Sequence, residues 1–158
     1  MGRILNLTLA LILLMLFIIP MIFIFILIKV TSRGSAFYWS QRIGRNNVTF
    51  KMPKFRSMRI DAPEVASHLL EDHEIFLTPI GRFLRRTSLD ELPQLISIIR
   101  GDMAFVGPRP ALFNQYDLIE LRSKFGVHRL LPGITGLAQI KGRDELSIPD
   151  KVDLDIEY

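Results

Sequence analysis

Two adjacent carboxylates, Asp90 and Glu91, are the residues best placed to do chemistry in this 158-residue chain. Neighbouring acids repel one another and stay in solvent unless positive charge lies close by. Here Arg85 and Arg86 stand one turn upstream, and Ser88-Leu89-Asp90-Glu91 matches the capping-box pattern that opens a helix. A helix N-terminus favours the ionised form of both acids. An ionised Asp is a competent nucleophile toward phosphorus. A neighbouring Glu can hold Mg2+, a hard cation that takes one or two protein carboxylates and completes its shell with phosphate oxygens and water. The alternative is that both acids only cap the helix, and local pattern leaves the two readings open.

A second cluster is Gly107-Pro108-Arg109-Pro110. Pro108 has its φ fixed, and Arg109, lying before a proline, is held extended. A guanidinium on so stiff a backbone suits bidentate capture of a phosphate. The competing reading is a rigid turn whose arginine pairs with an acid such as Asp102. Other chemistries are excluded. No Gly-x4-Gly-Lys loop, Gly-x-Gly-x-x-Gly or His-Glu-x-x-His occurs, and His68, His73 and His128 lack ligand spacing and read as surface residues. There is no cysteine, hence no disulfide and no thiolate metal site. Asp153-Leu154-Asp155 has the form of an Asp-x-Asp metal site, but in an acidic terminal helix it reads as a solvated face.

The elements that must carry these residues follow from pattern. Ala36–Trp39 and Val48–Met52 read as short strands, with Gly44 and Asn46-Asn47 supplying turn chemistry between them. Residues 61–74 read as a loop or short helix. Thr78-Pro79 reads as a helix start, with Pro at the first helical position. A second helix starts at Ser88 or Asp90 and ends at Gly101, Leu89, Leu92, Ile96 and Ile99 recurring at helical spacing; the later start would put Pro93 in the first turn. Asn114–Phe125 reads as a third, closed by Gly126. Residues 101–110 and 131–142 are Gly- and Pro-rich loops, long enough to suspect function.

Residues 4–28 contain no charge, and only Asn6, Thr8 and Pro20 interrupt the apolar run. The run is too long and too bulky at its end for a signal peptide. It suffices to span a bilayer; alternatively it is a re-entrant helix, broken at Pro20, that enters and leaves by one face. Arg3 at one end and Lys29 and Arg33 at the other pull both ends toward the cytoplasm. From Lys29 to Arg59 there are eight basic residues and no acid, a stretch suited to anionic headgroups. Its aromatic residues would also suit single-stranded nucleic acid, but the apolar run makes lipid phosphate the better ligand. The division is thus a membrane-embedded helix over 1–30, broken near Pro20, and a catalytic domain over 31–158.

Taken together these stretches resemble the bacterial sugar transferase family, the small monotopic phosphoglycosyl transferases. The segments that carry the resemblance are the apolar helix, Lys54-Phe55-Arg56-Ser57-Met58, Ser88 to Leu95, Gly101 to Pro110, and Pro132 to Gly136 leading to Gly142-Arg143. They cover nearly the whole chain in order. The resemblance implies a mainly helical α+β fold: a re-entrant membrane helix and a small cytoplasmic α/β catalytic domain with short strands, at the bacterial inner membrane. It implies transfer of a sugar 1-phosphate from a UDP-sugar, an N-acetylated amino sugar being one candidate, to polyprenol phosphate. That transfer would initiate surface glycan assembly. Asp90 would be the nucleophile, Glu91 a partner that helps bind Mg2+, and Lys54, Arg85, Arg109 and Arg143 the phosphate and nucleotide contacts. Membrane lipids are implied partners, nucleic acid is not, and a homo-oligomer is left open. The family's helix is broken at Ser-Pro where this chain has Ile19-Pro20, and its members continue into amphipathic helices beyond the point corresponding to Tyr158. A rival of another class is a membrane-anchored protein that binds lipid phosphate without catalysis.

Overall fold

A computed structural model of the chain describes residues 2–63, 73–142 and 145–158. Helix α1, Arg3–Thr31, comes first. Hairpin strands β1 (Phe37–Ile43) and β2 (Thr49–Phe55) follow, then α2 (Gly81–Thr87), α3 (Leu95–Arg100), β3 (Ala104–Val106), α4 (Tyr116–Lys124), β4 (Gly133–Thr135), α5 (Leu137–Lys141) and α6 (Ile148–Glu157). Short strands in a mainly helical frame make this an α+β fold. Among the described residues the strands form two sheets of two: β1 and β2 antiparallel, from Phe37 opposite Phe55 to Ile43 opposite Thr49, and β3 and β4 parallel.

The hairpin is longer than its alternation suggests. Pro53 interrupts the strand pattern in β2, yet a proline is tolerated on the edge of a two-stranded ribbon. The turn is closed by Gly44 N–H donating to the Val48 carbonyl at 2.8 Å, with Asn46 and Asn47 in the left-handed region that asparagine tolerates. Helix α2 begins at Gly81 and not at Thr78: residues 78–80 form a turn in which Gly81 N–H reaches the Thr78 carbonyl. A Cβ at Gly81 would lie 2.0 Å from the Ser57 carbonyl oxygen, so only glycine lets α2 start against that backbone.

α1 is not a separate stalk. Its buried residues Asn6, Ala10, Met21, Ile24 and Ile28 fall on one helical stripe. Ala10 packs with Met52, Leu95, Ile98 and Met103. Met21, Ile24 and Ile28 pack with Ala36, Phe55 and Leu84. A third cluster, Ala111, Leu118, Val127 and Val152, joins α4 to α6. The helical assignment of α1 continues on both sides of Pro20. Proline removes one hydrogen bond there, while Phe17 and Met21 on either side pack against the same cluster. The opposite side exposes Leu11, Ile12, Met15, Leu16, Ile19, Ile22, Phe23 and Ile26, an apolar face suited to lipid. The helix is long and apolar enough to cross a membrane.

Polar contacts fix its N-terminal end. The Arg3 guanidinium donates to the carbonyls of Ile98 and Ile99, the orphan acceptors at the end of α3. The buried Asn6 side-chain oxygen accepts from Phe105 N–H at 2.9 Å, tying α1 to β3.

Candidate active site

Lys54 sits near the end of β2 and shares a strand face with Phe50 and Met52, which pack toward α3. That places its ammonium over the segment that carries Asp90 and Glu91. Arg85 lies in the last turn of α2, and after Thr87 Ser88 turns the chain with a left-handed φ of 57°. The expected capping box does not form. Ser88 makes no side-chain cap, and Leu89–Gln94 is a 3-10 stretch with both acids in its first turn. Pro93, lacking an N–H, would cost an α-helix begun at Ser88 one hydrogen bond, and α3 starts only at Leu95. Gly101, with φ 97°, ends α3 as its sequence indicates.

The two acids have different surroundings. Glu91 Oε1 accepts from Lys54 Nζ and from Arg109 Nη2, each at 2.7 Å. Arg109 thus pairs with Glu91, not with Asp102. Burial alone would raise the Glu91 pKa, but the two cations outweigh it and pull it to about 2. Asp90 is 7% exposed. Among the described residues no side chain hydrogen-bonds to its carboxylate. Burial pushes its pKa above the ordinary carboxylate value and the Glu91 charge adds to this, while Lys54 and Arg85 oppose it. Burial also pulls the Lys54 ammonium below its ordinary value, with Glu91 countering and Arg109 reinforcing. The site therefore holds one carboxylate firmly ionised between two cations and a second one next to it, buried and uncommitted.

Arg85 anchors the near side. Its Nε donates to Ser57 Oγ and its Nη2 to Met58 Sδ, each at 3.1 Å. Arg109 projects from the loop after β3, its side chain 41% exposed. The loop lies so close to β4 that a Cβ at Gly133 would sit 2.2 Å from Gly107 N. Of the six positions singled out from sequence, Lys54, Asp90, Glu91 and Arg109 come together, Arg85 lies within electrostatic reach of Asp90, and Arg143 lies outside the described residues. Sequence reasoning missed the Arg122–Asp155 pair. Asp155 is no solvated acid: it is 2% exposed and accepts from Arg122 at 2.7 Å. The spacing from Val152 was the available signal, because residues three apart share a helix face. His128 is half-buried, its Nδ1 enclosed, and not the surface residue its isolation suggests.

A basic clamp beside two acids, in a domain packed against a long apolar helix, suits phosphoryl chemistry. A family model described as bacterial sugar transferase matches residues 1–158. The chain belongs to that family. Among its relatives, the chain is 38% identical over 147 residues to the exopolysaccharide production protein ExoY of Sinorhizobium fredii, covering 84% of this chain and 65% of ExoY. It is 42% identical over 142 residues to the undecaprenyl-phosphate glucose phosphotransferase of Komagataeibacter xylinus, covering 83% of this chain and 27% of that protein. It is 38% identical over 149 residues to the undecaprenyl-phosphate galactose phosphotransferase of Salmonella typhimurium, covering 82% and 30%. The chain thus spans less than two thirds of each.

Proposed function

We propose that this chain transfers a sugar 1-phosphate from a UDP-sugar to polyprenol phosphate. The observation that carries the reading is the unequal acid pair: Glu91 is committed to Lys54 and Arg109, and Asp90 is left beside them as the attacking group. In the first step an Asp90 carboxylate oxygen bonds to the β-phosphorus and the bridging P–O bond breaks, so UMP departs with that oxygen. In the second, an oxygen of polyprenol phosphate bonds to the same phosphorus and the acyl-phosphate bond breaks. The products are polyprenyl-diphosphate sugar and a regenerated Asp90. The names of the galactose and glucose phosphotransferase relatives support a lipid-phosphate acceptor. Arg109 and Lys54, with Arg85 near Asp90, supply fixed positive charge where charge develops on phosphorus.

Mg2+ fits this site in one way only. Among the described residues no group of three or more His, Cys, Asp or Glu is present to cage a metal. Glu91 is ionised and only one of its oxygens takes the two cations. Glu91 would therefore hold the ion together with donor phosphates, and the ion would neutralise the diphosphate. Arg143 is carried as a nucleotide contact by resemblance alone.

If Arg109 grips the diphosphate through its planar fork, Arg109→Lys lowers kcat/KM well over tenfold, about 1.4 kcal/mol or more. Steady-state kinetics check this, and a near-normal value would make Arg109 structural. The decisive assay against a non-catalytic lipid-phosphate binder is UMP release from a panel of UDP-sugars, with and without polyprenol phosphate. No release from any donor would leave the binder reading standing.

The topology proposed for α1 has both ends on the cytoplasmic face of the bacterial inner membrane. Support comes from Arg3 and Asn6 at one end and Ile24 and Ile28 at the other, all docked on the same domain. A helix crossing to the far side would carry Arg3 away from α3. Cysteines placed at Gly2 and Ser35 should both label from the cytoplasmic side of sealed vesicles; labelling from opposite sides would establish a plain span.

A further inference from the structure

The segment that presents Arg109 has an unusual way of holding itself. Pro108 and Pro110 remove two of its backbone donors, so it is fastened through its carbonyls. The Pro108 carbonyl accepts from Gly133 N–H at 2.9 Å and the Ala111 carbonyl from Ile43 N–H at 2.9 Å. The Pro110 carbonyl accepts from Arg42 Nη1 at 3.1 Å. The carbonyl of Arg109 itself accepts from Arg122 Nη1 at 2.8 Å.

Arg122, on α4, is itself anchored by a buried acid. Its Nε and Nη2 both donate to Asp155 Oδ2 of α6, at 2.9 and 2.7 Å. The pair is shut away, with side-chain exposures of 11% and 2%. Burial drives the Asp155 carboxyl above its ordinary value and Arg122 pulls it back. An ion pair in such a place is often no more stabilising than a well-packed apolar pair. Its geometry, with every guanidinium nitrogen used and the last aimed at one carbonyl, suits orientation better than stability.

We infer that Asp155 and Arg122 are positioning residues for the phosphate clamp, holding the Arg109 backbone so that its guanidinium meets both Glu91 and the diphosphate of the donor. The inference rests on the proposed transferase reading for what the clamp binds. Asp155 sets the Arg122 side chain, Arg122 sets the Arg109 carbonyl, and the prolines on either side pass that constraint to the side chain. Neither residue touches substrate.

The test is a double-mutant cycle on the full chain, read by titrating UDP as the probe and by KM for the UDP-sugar. Asp155→Asn should weaken UDP binding and raise KM about tenfold, and the same change in an Arg109→Lys background should have little further effect, because the clamp it orients is already lost. Hydrogen exchange of residues 107–113 should accelerate in Asp155→Asn more than exchange of α4. Asp155→Glu should recover part of the affinity. If Asp155→Asn does not fold, Arg122→Lys takes its place in the cycle. It keeps a charge opposite Asp155 but cannot also reach the Arg109 carbonyl. Multiplicative losses in the double variant, or a lowered Tm with unchanged UDP affinity and unchanged exchange at 107–113, would overturn the inference and leave the pair purely structural. The exchange readout needs no nucleotide. Wild-type protein that neither binds UDP nor releases UMP would instead defeat the transferase reading.

Discussion

Asp90→Asn abolishes turnover, lowering it by at least about 10³-fold, while the protein stays folded. The amide keeps the shape of the carboxylate in a nearly closed position but is a poor nucleophile. The same variant should melt at an equal or higher temperature than wild type at neutral pH. The folded pKa of Asp90 lies above its unfolded value, so the fold favours the protonated form. The ionised carboxylate is then a destabilising group at neutral pH. Its contribution becomes less unfavourable as pH falls through the folded pKa and is no longer unfavourable below the unfolded one. The Tm advantage of Asn should therefore shrink on acidification. A variant that loses activity only because it unfolds would show the opposite, a lower Tm at neutral pH, and calorimetry at two pH values separates the cases.

Glu91→Gln produces the second large loss, about 10²-fold or more in kcat/KM, because it acts on three groups at once. Lys54 and Arg109 both end on one Glu91 oxygen. An amide removes the charge on which both cations end, so they spread or recruit the donor phosphate in the wrong place. If Glu91 also shares Mg2+ with the donor, the residual rate of the variant rises with Mg2+ concentration over a range where wild type is already saturated. A Mg2+ titration of both proteins checks this; a constant ratio between them would confine Glu91 to orienting its two cations. Stability carries its own signature. The Glu91 folded pKa, about 2, is depressed below its unfolded value near 4.5. Its contribution is complete above the unfolded value and fades as pH falls toward 2, so the Tm gap between wild type and Glu91→Gln should close across that window.

The acid pair, the clamp arginine and the apolar helix were legible in the sequence because each is written in a local pattern: adjacent carboxylates, a proline on each side of Arg109, an uncharged run. What holds them together was not. Glu91 meets Lys54 37 residues away and Arg109 18 residues away, and no periodicity records such pairings. The capping box at Ser88 was one local pattern set against another, Pro93, and the chain enters α3 through a 3-10 stretch instead. The sequence pattern of α1 marks it for lipid, but its docking face shows only when Asn6, Ala10, Met21, Ile24 and Ile28 are set beside their partners. Asn6, an oddity in an apolar run, is explained by one hydrogen bond to β3. Asp155 was misread because acids in an acidic helix usually face water, and Arg122, which makes its burial tolerable, comes from another helix.

The covalent step is the centre of the account, and one measurement addresses it directly. Wild-type protein is given a UDP-sugar labelled in the sugar, without polyprenol phosphate, and quenched in denaturant at successive times. Released UMP and protein-bound label should appear together in a single burst, one for one. The label should map to the peptide containing Asp90, be absent from Asp90→Asn, and leave the protein when polyprenol phosphate is added before the quench. UMP released in the burst with no label on that peptide at the earliest times would contradict Asp90 as the nucleophile, and turnover that starts only when the lipid is present would point to direct attack by the lipid phosphate.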